Sequence, residues 1–183
     1  MANQRTKVAM LVISGMSMIG IAVHEGYIGH TYTDAVGVKT IGFGNTDGVK
    51  PGQTITVERA LLKMGNNVTE KERAMKACLG DVPLYQHEWD AYVSLAYNIG
   101  IGKSGVSDGF CYAKRGGYSG LVTALRQTPP NYPGACAQIL RWNRGGGRVL
   151  DGLTKRRRDE YNKCVGGVRH GTCLSQVSCL TSS

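Results

Sequence analysis

The sequence predicts an α+β fold, mainly helical, with a small β-hairpin lobe near the N-terminus and a larger helical lobe. Three observations carry this. Apolar residues recur at helical spacing along most of the chain. One segment, Tyr32 to Asn45, is instead rich in Thr, Tyr, Val, Ile and Phe around Gly37, which reads as a hairpin. The 26 glycines follow no G-X-Y period, so they punctuate short elements rather than build a collagen-like repeat. At 183 residues the chain fits one compact domain.

In order, Val8 to Val23 is expected to be helical, ending near Gly26 to Gly29. In the hairpin, Val38, Thr40, Gly42 and Gly44 share one face by strand alternation, and Lys39, Ile41 and Phe43 share the other. The glycines on the Thr40 face would leave room for a ligand to approach the backbone. Thr54 to Glu58 carries a helix-start signature, and an amphipathic helix should run from there to about Cys78 before the break at Gly80 to Pro83. Leu84 to Ile99 is helical, with Trp89, Tyr92, Val93, Ala96 and Tyr97 on a core face, and Gly100-Ile101-Gly102 ends it. A short helix over Tyr118 to Gln127, a loop over Pro129 to Gly134 and a helix over Ala135 to Arg144 follow. Gly145-Gly146-Gly147 stops the last of these. Leu153 to Cys164 is a basic helix, and residues 166–183 form a polar tail. The organisation is thus a basic head with an apolar segment (1–23), a catalytic domain (24–165) and the tail.

The net charge of +9 speaks to partners: nucleic acid, an anionic membrane or an anionic wall polymer. No RNP, helix-turn-helix or zinc-finger pattern is present, and Arg156-Arg157-Arg158 reads as a helix face with an arginine pairing an acid, so no nucleic-acid partner is expected. Cys78, Cys111, Cys136, Cys164, Cys173 and Cys179 include no C-x-x-C, and the four histidines form no metal-binding pair. No metal and no cofactor are expected. The even number of widely spaced cysteines favours disulfides in an oxidising compartment, with some bridging the polar tail.

The informative stretch is Glu25 to Thr46. It places one carboxylate, Glu25, at a helix end and a second, Asp34, at the mouth of the hairpin. Glycoside hydrolysis needs such a pair: one acid to protonate the leaving oxygen, one carboxylate to act from the opposite side of the sugar. A helix end packed on apolar residues favours a protonated Glu25 by desolvation. A turn with backbone donors favours an ionised Asp34. Thr40 on the adjacent strand could hold a water.

This stretch strongly resembles the phage-type lysozymes, the endolysin family that includes the T-even phage enzyme. The resemblance lies in Glu25-Gly26, in Asp34, and in Thr40-Ile41-Gly42-Phe43-Gly44-Asn45-Thr46. It continues through Gln86 to Gly100 with Asn98-Ile99-Gly100, then Trp142, then Val149 to Leu153 with Arg156-Arg157 and Glu160, covering residues 13–165 or so. It implies a lysozyme fold and an N-acetylmuramidase that cleaves the β-1,4 bond of peptidoglycan and lyses the host cell. Glu25 would be the acid, Asp34 would assist the attacking water, Thr40 would position it, and either Arg156 or Arg157 would approach Glu25. Gly42, Phe43 and Asn98 stand as substrate-binding candidates in a monomeric enzyme. Asn45 departs from the family pattern, where many members have His, and residues 166–183 have no counterpart.

Arg5 and Lys7 precede the uncharged run Val8 to Val23, the shape of an export signal or anchor. Sixteen residues of helix span about 24 Å, short of a hydrocarbon core of about 30 Å, and Gly15, Gly20, Ser14 and Ser17 weaken the run further. A buried core helix fits the same run. Cleavage after Ala22 would leave Glu25 without its helix, so the segment reads as retained. It resembles the apolar start of signal-anchor-release endolysins, which implies export to the host periplasm on an uncleaved, transient inner-membrane anchor. The alternative is residence in the host cytoplasm until a holin opens the membrane. Two further readings of activity compete with the hydrolase. One is a lytic transglycosylase, which needs no water-positioning pair. The other is a non-enzymatic cationic protein that binds wall or membrane.

Overall fold

The computed structural model describes residues 4–34 and 37–166. The chain runs β1 (Thr6–Lys7), a 3-10 turn (Val8–Met10), α1 (Gly15–Glu25), β2 (Ile28–Thr33), β3 (Lys39–Gly42), α2 (Val57–Leu79), β4 (Pro83–Leu84), α3 (Gln86–Ile99), α4 (Gly120–Leu125), α5 (Tyr132–Ile139), β5 (Arg144–Gly145), β6 (Arg148–Val149) and α6 (Asp151–Cys164). The strands form three antiparallel pairs, β1–β4, β2–β3 and β5–β6, so the α+β expectation holds.

The core is organised around α3. Its expected apolar face is there, with Trp89, Tyr92, Val93 and Ala96 buried, but Glu88 to Ala96 is buried on every side because α1, α2 and α6 all pack against it. The polar positions of the helix are therefore buried too, and each has a partner, as burial requires. Arg5 makes two bonds to Glu88 at 2.9 and 3.1 Å, Ser14 bonds Asp90 through its backbone and side chain, and Ser94 donates to Glu160 at 2.7 Å.

Those buried acids overturn the single helix expected over Val8 to Val23. The run is broken into a 3-10 turn, an extended Leu11 (φ −85°, ψ 144°) and α1, which starts only at Gly15 behind a Ser14 cap. The physical reason lies elsewhere in the chain. The backbone N–H of Ile13 donates to Glu72 at 2.6 Å and that of Ser14 to Asp90 at 2.9 Å. A continuous helix would use those N–H groups internally and leave the acids short of donors. Val8, Leu11 and Ile21 point into the core. Met16 (77% exposed), Ile19 (57%) and Val23 (77%) form an outward apolar stripe on α1, three and four residues apart.

The hairpin β2–β3 forms as read, with Tyr32 opposite Thr40 and Thr33 opposite Lys39. It begins earlier than expected, at Ile28, which pairs with Gly42 across a register shift. Strict alternation fails along β3, since Thr40, Ile41, Gly42 and Phe43 are all buried. The glycines do not open a ligand face. A side chain at Gly42 would meet the Ala60 Cβ at 2.9 Å, so that space belongs to the packing of α2.

The later boundaries shift for local reasons. α5 starts at Tyr132, three residues before the expected helix, because Asn131 caps it and Pro133 is tolerated in a first turn. It ends at Ile139, short of Arg144. The glycines after it make a tight hairpin, β5–β6, rather than a simple stop.

Disulfides form as expected for four cysteines. Cys78–Cys111 ties the end of α2 to the segment before α4, and Cys136–Cys164 ties α5 to the end of α6, with Cα separations of 5.9 and 5.8 Å. Cys173, Cys179 and the rest of 167–183 lie outside the described residues. The closed loops span 33 and 28 residues. Removing either bridge as a Cys→Ala pair is expected to cost about 3–4 kcal/mol, read from urea denaturation. Unchanged midpoints would mean the bridges do not constrain the unfolded chain.

Candidate active site

Glu25 is the last residue of α1, and Gly26, with φ +69°, closes the helix behind it. Its carboxyl is held on two sides. Arg156 Nη1 of α6 donates to Oε1 at 2.7 Å. Oε2 lies against the turn after β3, where a side chain at Gly44 would strike it at 2.6 Å. The carboxyl is thus set between a guanidinium and a backbone, not in the apolar pocket the sequence suggested.

α6 supplies Arg156 from a buried charge cluster. Arg156 also donates through Nε to Glu160 at 3.2 Å and through Nη2 to the Ser94 carbonyl at 3.4 Å. Arg157, only 1% exposed, faces Glu160 at 2.9 Å, and burial pushes its guanidinium down to about 10 against the pull of Glu160. The choice between the two arginines is settled here: Arg156 reaches Glu25, and Arg157 anchors Glu160.

Asp34 sits at the mouth of the hairpin. It accepts the Val38 N–H on Oδ1 at 2.8 Å, and its own N–H donates to the Val38 carbonyl at 2.9 Å. The backbone donor expected for it is present. The Thr33 hydroxyl accepts from Lys39 Nζ at 2.6 Å. Thr40 is 3% exposed and donates to the Val38 carbonyl at 3.2 Å. Its hydroxyl proton is therefore used by the backbone, and the oxygen keeps acceptor capacity.

Two tyrosines respond to these groups, and sequence reasoning missed both. Burial first, then the charges of Glu25 and Asp34, push the Tyr32 phenol up. The Tyr97 phenol is pushed up to about 12, first by burial and then by Glu25. Tyr97 was legible only as a core-face residue of α3, and Tyr32 as a strand residue. Phe43 is buried with its ring tilted on Tyr27 at 5.5 Å, and Asn98 is exposed near the end of α3. A cavity of about 690 Å³ in the helical lobe, lined by Phe110, Tyr112, Arg141 and Trp142 among others, includes none of Glu25, Asp34 or Thr40.

The chain is similar to known proteins over most of its length. The family model described as "Phage lysozyme" matches residues 22–160. The "SAR-endolysin" of Haemophilus phage HP1 is 32% identical over 143 residues, covering 78% of this chain and 75% of that protein. The "Endolysin" of Salmonella phage P22 is 31% identical, covering 82% of this chain and 96% of that protein. The chain spans less than two thirds of two Bacillus phage endolysins that it also matches. Among solved structures, the endolysin of Escherichia coli O157:H7 phage FAHEc1 superposes with a TM-score of 0.67 at 29% identity, covering 87% of this chain and 96% of that one.

Proposed function

The chain belongs to the phage lysozyme family and is a glycoside hydrolase of peptidoglycan, and within that activity we propose that Glu25 is the general acid, with Asp34 and Thr40 managing the attacking water. The bond is the β-1,4 link between N-acetylmuramic acid and N-acetylglucosamine. Arg156 occupies Oε1 and so leaves Oε2 as the oxygen to carry the proton. As the bond from C1 to the leaving oxygen breaks, that proton passes to the leaving oxygen. Asp34 takes a proton from the water that attacks C1 from the other face, and the Thr40 oxygen accepts a hydrogen bond from the same water. The observation that carries the reading is the seat of Glu25 between Arg156 and Gly44. Asn98 is retained as a substrate contact. Gly42 and Phe43 pack against α2 and Tyr27, so contact with the glycan from them runs through main chain.

Product analysis tests the assignment. The first product is expected to be the α-anomer, since the water comes from the face opposite the leaving group. A β-anomer at early times, read by NMR, would make Asp34 a nucleophile. Anhydro ends would replace hydrolysis with transglycosylation.

The same α1 supports a reading of where the enzyme works. Residues 8–23 act as a retained signal anchor that holds the monomer transiently at the inner membrane, exported to the periplasmic side and inactive until released. No helix among the described residues is long and apolar enough to cross a membrane. The outward stripe of Met16, Ile19 and Val23 supports an alternative location in lipid for part of the segment's life. Inserted, the segment would forfeit the bonds of Ile13 and Ser14 to Glu72 and Asp90, and Glu25 would leave Arg156. Insertion and activity therefore compete as two states. A Cβ at Gly15 or Gly20 meets nothing within 4 Å, so a leucine there starts into open space in the folded enzyme and favours insertion. The Gly15→Leu/Gly20→Leu protein is expected to stay in the membrane fraction after the membrane potential is collapsed, when wild type leaves it. Equal release of both proteins would reduce the run to a piece of the fold.

A further inference from the structure

The turn facing Glu25 is gripped from two helices by groups the chemistry above does not use. Gly44 stands at its centre with φ +71°, a conformation that suits glycine. On one side, the Tyr97 hydroxyl of α3 donates to the Phe43 carbonyl at 2.7 Å. On the other, Asn67 Nδ2 of α2 donates to Asn45 Oδ1 at 3.1 Å. Asn45 is buried and donates in turn to the Asp47 carbonyl at 3.2 Å. Asn67 also pulls the Tyr97 phenol slightly down against the larger effect of burial, so the two grips are neighbours. Reciprocal main-chain bonds between Ile41 and Asn45, at 2.9 and 3.0 Å, close the turn itself.

We propose that Asn67 and Tyr97 are positioning residues, which tie the Phe43–Asn45 turn to α2 and α3 so that the Gly44 backbone seats Oε2 of Glu25. Arg156 holds one carboxyl oxygen by a hydrogen bond, which still lets the group rock about that contact. A wall of backbone against the second oxygen removes that freedom and sets where the proton is presented. The wall is only as firm as its attachments, and the side-chain hydrogen bonds that tie it to α2 and α3 run through Tyr97, Asn67 and Asn45. Asn45, which departs from the family pattern, has its use here as the acceptor for Asn67.

This rests on the reading of Glu25 as the acid, so Glu25→Gln is measured beside the test variants. Steady-state kinetics on a soluble peptidoglycan fragment compare full-length Asn67→Leu, Tyr97→Phe and Gly44→Ala with wild type, well below each variant's Tm. Asn67→Leu and Tyr97→Phe are expected to lower kcat about tenfold with KM within about twofold. Gly44→Ala, which drives a methyl group at Oε2, is expected to lower kcat about a hundredfold, the scale of an ångström of misplacement. A purely structural role would lower Tm and leave kcat at the wild-type value, and that result overturns the proposal. Wild-type kcat in Asn67→Leu and Tyr97→Phe with an inactive Glu25→Gln would reject the clamp and leave the acid in place. An active Glu25→Gln would reject both.

Discussion

Glu25→Gln is expected to lower glycan cleavage by at least about two orders of magnitude while the protein stays folded, the usual contribution of a general acid. The substitution keeps the shape of the side chain. Arg156 Nη1 can still donate to the amide oxygen, and its other bonds, to Glu160 and Ser94, are untouched. What is lost is a proton that can be given to the leaving oxygen and a charge that pairs with the guanidinium. Since the carboxyl is only partly buried, with 16% of its side chain exposed, the stability change should be modest beside the loss of rate. Clearing of outer-membrane-stripped cells reports the activity, and thermal unfolding reports the fold. Clearing within tenfold of wild type by a normally folded variant would remove Glu25 from the chemistry. It would also revive the reading of a cationic protein that disrupts walls or membranes without cutting them.

The parts of the site that the sequence disclosed are those written in adjacent residues. Glu25 followed by Gly26 marks a helix end, because a glycine with positive φ is what closes it, and the position of the acid follows from that pair. The hairpin around Gly37 is disclosed by its β-branched and aromatic residues, and with it the placement of Asp34 and Thr40. What stayed hidden depends on distant partners. The break before α1 is made by Glu72 and Asp90, which no window around Ile13 contains. The carboxyl of Glu25 rests on a guanidinium 131 positions away. Helical spacing puts Arg156 and Arg157 equally close to Glu160, and only the packing of α6 on α3 decides which one reaches across. The hairpin β5–β6 is a different case. Gly146-Gly147 between Arg144-Gly145 and Arg148-Val149 is a recognised two-residue turn signal, so the element is legible in the sequence as a hairpin as well as a helix stop.

Arg156→Met should be the most damaging single change in the helical lobe, because it strikes fold and chemistry together. Arg156 is 7% exposed and serves Glu25, Glu160 and the Ser94 carbonyl at once. Methionine fills much of the same volume with no donors. Glu160 keeps Arg157 and Ser94, but Glu25 loses its contact with Arg156, and loss of the buried guanidinium's bonds is expected to cost about 1–3 kcal/mol. Activity should fall with it, since Oε1 is no longer held. Arg156→Lys should be intermediate, because one ammonium group cannot span both carboxylates as the guanidinium fork does. A double-mutant cycle separates the two roles. If the bond to Glu25 accounts for part of the loss, Arg156→Met should cost less in the Glu25→Gln background, by about 1–3 kcal/mol in urea unfolding. Full additivity would confine Arg156 to its bonds with Glu160 and Ser94. Glu25 would then be seated by the Gly44 turn alone, and the kcat of Arg156→Met assayed well below its Tm should approach that of wild type.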